Sequence, residues 1–354
     1  RRQRQMCIRD RYKSDFLRAL VSIIVMIQMF YVAGQLSAGG TLLSGLLDID
    51  YSTAVIAVTV VTIVYVTLGG LFADVYTSIG QTCLMMFAGV IVFLSGFFFF
   101  KGGITEVSTI IAARDPLLTA VINPKSLHMY SYATVFGVIL IEFAFSGQPQ
   151  LLTKILALKD PKDMKKMIWT WIVASFCCML VIFGGLYMLA LNPDLQQPDY
   201  AVVEYVRAYF HPIISTLLAV SIVAALMSTA CGLLLVMTTC IANDLFIKTL
   251  VKRKIINIPQ EKAQRIAFMM TKILPAVFGI ICVLMTLHPP QFMGVMVWIG
   301  ISGVASATLA PMLIAIIWPE RINATAAIWG AIAGEATSVS YTHLRAHETL
   351  ANLV

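Results

Sequence analysis

Three residues in the stretch AALMSTACG, residues 224–232, could hold a small hard cation. Ala225, Ser228 and Thr229 stand at i, i+3 and i+4, so a helix puts them on one face. Two hydroxyls and a nearby backbone carbonyl are hard oxygen ligands. They suit a cation such as sodium by the logic that gives calcium its oxygen ligands. A plainer use of the same residues is also open. Serine and threonine often bond back to the carbonyl four residues earlier. Ala224, Ser228 and Gly232 also form a small-residue stripe suited to close helix packing.

A second group lies in EFAFSGQPQ, residues 142–150. Glu142 sits deep in an apolar run, where a charge is costly and usually functional. Phe143, Ser146 and Gln148 follow it. Pro149 removes a backbone donor and disfavours helix at Gln148, and Gly147 adds freedom. The helix is expected to loosen here and expose carbonyls and amides. Such backbone survives in a bilayer only where it lines a cavity or is buried in protein. The alternative is an ordinary helix end, with Gln148 and Gln150 among lipid headgroups. A third group, Gln28, Tyr31 and Gln35, recurs at i, i+3 and i+7. It either lines a polar cavity or ties neighbouring helices together. Trp298 and Gln291 read as interfacial anchors.

The elements that carry these groups are membrane helices. The chain has 354 residues, 59% of them hydrophobic and only 12% charged, where a soluble domain would be roughly a quarter charged. Nine candidate spans follow: 16–42, 51–70, 77–100, 131–147, 164–191, 213–243, 266–287, 292–317 and a short, truncated 323–338. The alternating segments of a barrel are absent. The loop around 149–166 carries Lys154, Lys159, Lys162, Lys165 and Lys166, and that around 244–265 is equally basic. Lys13 and Arg18 fall on the same side. The positive-inside rule puts these in the cytoplasm, with 44–50, 101–130 and 192–210 outside. No linker divides the chain.

The net charge of +7 owes most of its size to residues 1–11, with five arginines against one aspartate. That stretch and residues 339–354 resemble translated read-through of sequencing adapters, and both are set apart from a single membrane domain over 12–338. The remainder is weakly basic, which removes any nucleic-acid reading. The seven cysteines form no C-x-x-C pair, and six lie in apolar runs. No metal centre, disulfide framework or organic cofactor is expected. No Ser/His/Asp or metal-ligand cluster supports an enzyme.

Several stretches together resemble the sodium:solute symporter family. GGLFADVYTSIGQ (69–81) is similar to its G-G-L-x-A-x-x-W-T-D-x-x-Q pattern. GQPQLLTKILALKD (147–160) is similar to G-Q-P-H-x-x-x-R-x-x-A-x-K-D of the proline and pantothenate permeases. AALMSTACGLLLVMTTCIANDLF (224–246) resembles the A-A-x-M-S-T helix, and QLSAGGTLL (35–43) the Q-F-x-G-G-A-R-L-L of pantothenate permeases. The resemblance covers about 13–338.

It implies an all-α membrane protein with a five-plus-five inverted-repeat transporter core. Core helices three to ten, and part of the next, would be present. Core helices one and two would be missing, making the chain a fragment. Residues 131–147 would be the discontinuous core helix six, whose half-helices put dipoles and carbonyls at a midplane site. Glu142, Phe143, Ser146, Gln148 and Gln35 would serve the substrate and gate, with Phe143 near the inner aromatic gate. Ala225, Ser228 and Thr229 would be the sodium ligands of core helix eight. One departure bears on the ion: the family's tryptophan-threonine-aspartate reads Tyr76-Thr77-Ser78, with Asp74 about one turn away.

The expected function is sodium-coupled symport of a small, carboxylate-bearing solute (pantothenate, proline or a monocarboxylate) in a bacterial inner membrane. The expected partners are that solute, sodium and the lipid bilayer. A different class remains open: the membrane sensor domain of a histidine kinase built on the same core. A channel would want repeated polar pore rings, which the chain lacks.

Overall fold

The computed structural model describes residues 12–351, apart from 127–128, 146, 157, 159, 196, 288–293 and 322. Its described regular structure is helical throughout. Among the described residues, eight helices are long and apolar enough to cross a membrane. They are α1 (Asp15–Leu47), α2 (Tyr51–Gly70), α3 (Asp74–Phe99), the pair α5 (Tyr132–Phe145) and α6 (Pro149–Leu156), α7 (Met164–Leu191), α9 (Pro212–Val251), α10 (Gln260–Thr286) and α11 (Gly294–Ile317). Two shorter helices, α4 (Gly103–Arg114) and α8 (Ala201–Tyr209), lie between spans. The last helix, α12, runs unbroken over Ala324–Ala351, across position 339 where sequence placed the end of the domain.

The boundaries follow local chemistry. Ser14 Oγ accepts from the Leu17 amide at 3.2 Å and starts α1. Asp50 does the same for α2 through Thr53 at 3.2 Å. Pro212 occupies the first turn of α9, where its missing N–H costs nothing. Between α2 and α3 the chain turns at Gly70, with φ 59° and ψ −160°, a region essentially closed to residues with a Cβ. The C-terminal end of α9, Cys240–Val251, is wound as a π-helix.

A central core joins α1, α2, α9, α10 and α11, with Val32, Leu36, Val58, Leu233, Leu234, Met237 and Phe278 buried in it. A second core closes the end of the bundle opposite the lysine-rich loops. There Phe100, Val107, Tyr187, Tyr205 and Leu218 bring α3, α4, α7, α8 and α9 together. Tyr205 Oη lies 2.6 Å from Ser95 Oγ, so this aromatic cluster hides no unpaired phenol. α3 and α7 approach so closely that a Cβ on Gly89 would sit 2.0 Å from the Cys177 carbonyl oxygen. Large apolar side chains such as Leu68, Phe98 and Trp169 cover the outside, as a lipid-facing surface requires.

Charged contacts sort to the two ends expected from loop composition. On the lysine-rich side, Arg18 donates to the Lys248 carbonyl at 2.7 Å and to Thr249 Oγ1 at 3.2 Å. Arg253 lies 3.6 Å from Asp15. On the opposite side, Arg207 grips both carboxylate oxygens of Asp48, at 2.9 and 2.7 Å. That carboxylate holds the Arg207 guanidinium even more firmly protonated than usual.

Candidate functional site

The break expected in EFAFSGQPQ is present. α5 stops at Phe145 and α6 begins at Pro149. The Gln148 carbonyl accepts from the amides of Leu151 and Leu152, at 3.0 and 3.1 Å, so it opens the first turn of α6. The Gly147 amide reaches back to the Ala144 carbonyl at 3.0 Å. Proline at the first helical position and a glycine before it give this local geometry at little cost.

The glutamines around the break are buried in protein rather than among headgroups. Gln148 and Gln150 are 1% and 7% exposed, and Gln28 of α1 is fully buried. Gln28 Nε2 donates to Gln148 Oε1 at 2.6 Å and to Gln150 Oε1 at 3.0 Å. Gln148 Nε2 donates in turn to the Ile301 carbonyl of α11 at 3.1 Å. Three elements distant in sequence are therefore joined by side-chain amides. Each bond contributes about 1 kcal/mol net, and an orphaned partner would cost about 1–3 kcal/mol. The helix-tying alternative for the Gln28 face is the one realised. Tyr31, on that face, is buried beside Phe145, with ring centroids 6.4 Å apart.

On α9 the three oxygen-bearing residues share one face, and their hydroxyls are used in two ways. Thr229 Oγ1 donates back to the Ala225 carbonyl at 3.2 Å. Ser228 Oγ instead reaches out to Ser78 Oγ of α3 at 2.9 Å. Ser78 is the position where the resemblance expects aspartate. The Lys154 ammonium, from the last turn of α6, donates to Ser78 Oγ at 3.4 Å and lies 3.2 Å from Asp74 Oδ2. The Asp74 side chain is 2% exposed and that of Lys154 37%. A chain of polar groups thus runs from α6 through α3 to α9. Leaving a buried carboxylate in that chain without its cation would be strongly destabilising.

The other candidates are placed as follows. Glu142 and Phe143 are exposed on the face of α5 that no other described element covers, and Phe143 is 57% exposed. They are not brought beside Ser228. Gln35 is half-buried on α1, away from the break. Ser146 lies outside the described residues, as does Gln291. Sequence reasoning counted Lys154 only as a basic loop residue. Its spacing after Pro149, within the short helix that follows the break, was the available signal.

A cavity of about 500 Å³ lies between α1, α3 and α9. Leu43 and Leu47 of α1, Gln81 of α3, and Thr216, Val223 and Met227 of α9 line it. It opens beside Ala224, one residue before the candidate ion ligands.

Comparison with known proteins gives a consistent result. The family model described as the sodium:solute symporter family matches residues 5–334. The osmoregulated proline transporter of Bacillus subtilis is 26% identical over 338 residues, covering 93% of this chain and 65% of the relative. The sodium/proline symporter of Escherichia coli K12 is 23% identical, covering 92% of this chain and 64% of its own length. The chain thus spans just under two thirds of these relatives. A solved structure of a Na+-coupled sialic acid symporter, in a substrate-bound outward-open state, superposes with a TM-score of 0.61 at 17% identity. That match covers 94% of this chain and 75% of the other.

Proposed function

We propose a function that starts from one premise: this chain belongs to the sodium:solute symporter family. Its work is sodium-coupled symport of a small organic solute across a bacterial plasma membrane. No covalent chemistry is involved. The ion's descent of its electrochemical gradient supplies roughly 2.3 kcal/mol per charge per 100 mV, and the solute is carried against its own gradient by that work.

The observation that carries the reading is the arrangement on α9. The Ala225 carbonyl and the Thr229 hydroxyl lie 3.2 Å apart, with the Ser228 hydroxyl on the same face. Two oxygens that close make an edge which a small hard cation can bridge once the hydroxyl turns its proton away from the carbonyl. The broken α5–α6 segment supports the same reading. An interrupted helix is the element that brings helix ends to a midplane solute site in transporters. Glu142 and Phe143 flank that break, and with Ser146, Gln148 and Gln35 they are the proposed solute and gate residues.

A carboxylate-bearing solute fits a site that offers helix ends and amides. Proline transporters among the relatives are compatible with this class. Flux into vesicles containing the protein tests the ion site. The pair Ser228→Ala and Thr229→Ala should raise the sodium concentration needed for half-maximal uptake. Unchanged sodium dependence would remove these residues from the ion site.

A further inference from the structure

We propose that Lys154 is a tethered competitor of the coupling cation. Its ammonium and a sodium ion on α9 exclude one another, and Asp74 is the seat that holds the lysine in place. This rests on the reading that the ion binds at Ser228 and Thr229.

Four observations carry it. The ammonium lies 3.2 Å from Asp74 Oδ2 and 3.4 Å from Ser78 Oγ. Ser78 Oγ is in turn 2.9 Å from Ser228 Oγ. Only one hydroxyl therefore separates the fixed positive charge from a candidate ion ligand. Next, the two partners differ in exposure: Asp74 is sealed in, while Lys154 is 37% exposed. The carboxylate is the fixed partner, and the lysine, on its flexible four-carbon stem, is the one that can withdraw to water. Third, Lys154 stands in the last turn of an eight-residue helix, α6, that is separate from α5. Fourth, the carboxylate stands at Asp74, one turn before Ser78. A serine at 78 leaves a neutral hydroxyl between lysine and Ser228, through which hydrogen-bond direction can reverse.

The consequence is a choice between two occupants. With lysine seated, its proton points at Ser78 and the Ser78–Ser228 bond is closed. A cation on Ser228 draws that hydroxyl's lone pair to itself and places a second positive charge near the ammonium. Repulsion between the two in a poorly screened site then drives Lys154 off Asp74.

The test is binding of radiolabelled sodium to the purified protein in nanodiscs, read by scintillation proximity. K154Q should half-saturate at sodium concentrations on the order of tenfold lower than the unsubstituted protein. K154R, which keeps the charge, should stay within about twofold of it. K154Q leaves Asp74 without its cation and can lose the fold. The double variant D74N/K154Q removes both charges together and should also bind sodium more tightly than the unsubstituted protein. Sodium binding no tighter in either lysine variant would overturn the proposal, as would equal tightening by K154R. The S228A/T229A pair separates this from the underlying reading. If that pair weakens sodium binding while K154Q changes nothing, the competitor idea alone fails. If the pair has no effect, both fall together.

Discussion

Ser78 of α3 and Ser228 of α9 share a hydrogen bond of 2.9 Å across 150 residues of sequence. It joins the helix that carries the candidate ion ligands to the helix that carries the departure from the family pattern. Both hydroxyls are small, uncharged and able to donate or accept, so the contact reports on whatever charge stands beside it.

A carboxylate at position 78 should therefore change the ion site more than any other single substitution on α3. Ser78→Asp places a negative charge next to Ser228 and within reach of Lys154. Sodium titration of uptake should shift to lower concentrations, by roughly an order of magnitude at an effective dielectric of about 20. No shift would mean that the ion does not sense this position.

Gln148 and Glu142 should separate stability from transport. Gln148→Ala breaks the contacts to Gln28 and Ile301 and opens a buried gap. A loss of about 1–3 kcal/mol is expected, read as a melting temperature lower by several degrees in detergent. Glu142→Gln, on an exposed face, should stay within about 0.5 kcal/mol of the unsubstituted protein. It should nonetheless lower solute uptake if the carboxylate serves the solute pathway. Normal uptake by a well-folded Glu142→Gln protein would remove Glu142 from the site.

Gly70→Ala isolates a purely backbone effect. A Cβ at Gly70 would meet no atom within 4 Å, so no steric clash contributes. The φ of 59° with ψ of −160° should alone cost about 1–3 kcal/mol. Gly89→Ala differs in cause, because the added methyl meets the Cys177 carbonyl and must part α3 from α7. Both proteins should melt earlier than the unsubstituted one.

Side-specific labelling should separate Asp48 from Lys252. In intact cells, a membrane-impermeant maleimide should modify Asp48→Cys above the background of the native cysteines, and leave Lys252→Cys unmodified until the cells are opened. The reverse pattern would invert the orientation drawn from the lysine-rich loops.

Much of this arrangement was legible in the sequence, for physical reasons that also mark where legibility stopped. Apolar runs of membrane length fixed the spans, because hydrocarbon leaves the backbone few alternatives. Gly147 and Pro149 announced the break, since both act through local backbone geometry. The shared face of Ala225, Ser228 and Thr229 followed from helical spacing alone. What stayed hidden was pairing at a distance. Lys154 read as one more basic loop residue, and Gln150 as a possible headgroup contact. Their burial depends on α1, α3 and α9 arriving beside them, which no local pattern encodes. Asp74 was visible as a carboxylate one turn from Ser78, yet its partner was not.

The turn at Gly70 carries a practical consequence. α2 ends at Gly70 and α3 begins at Asp74, so that corner offers no slack. A protease has nothing there to grip, and an inserted epitope tag would have to be absorbed by the spans themselves. Probes meant to watch Asp74 and Lys154 from the cytoplasm must therefore be anchored elsewhere, on the lysine-rich connections that follow α6 or α9.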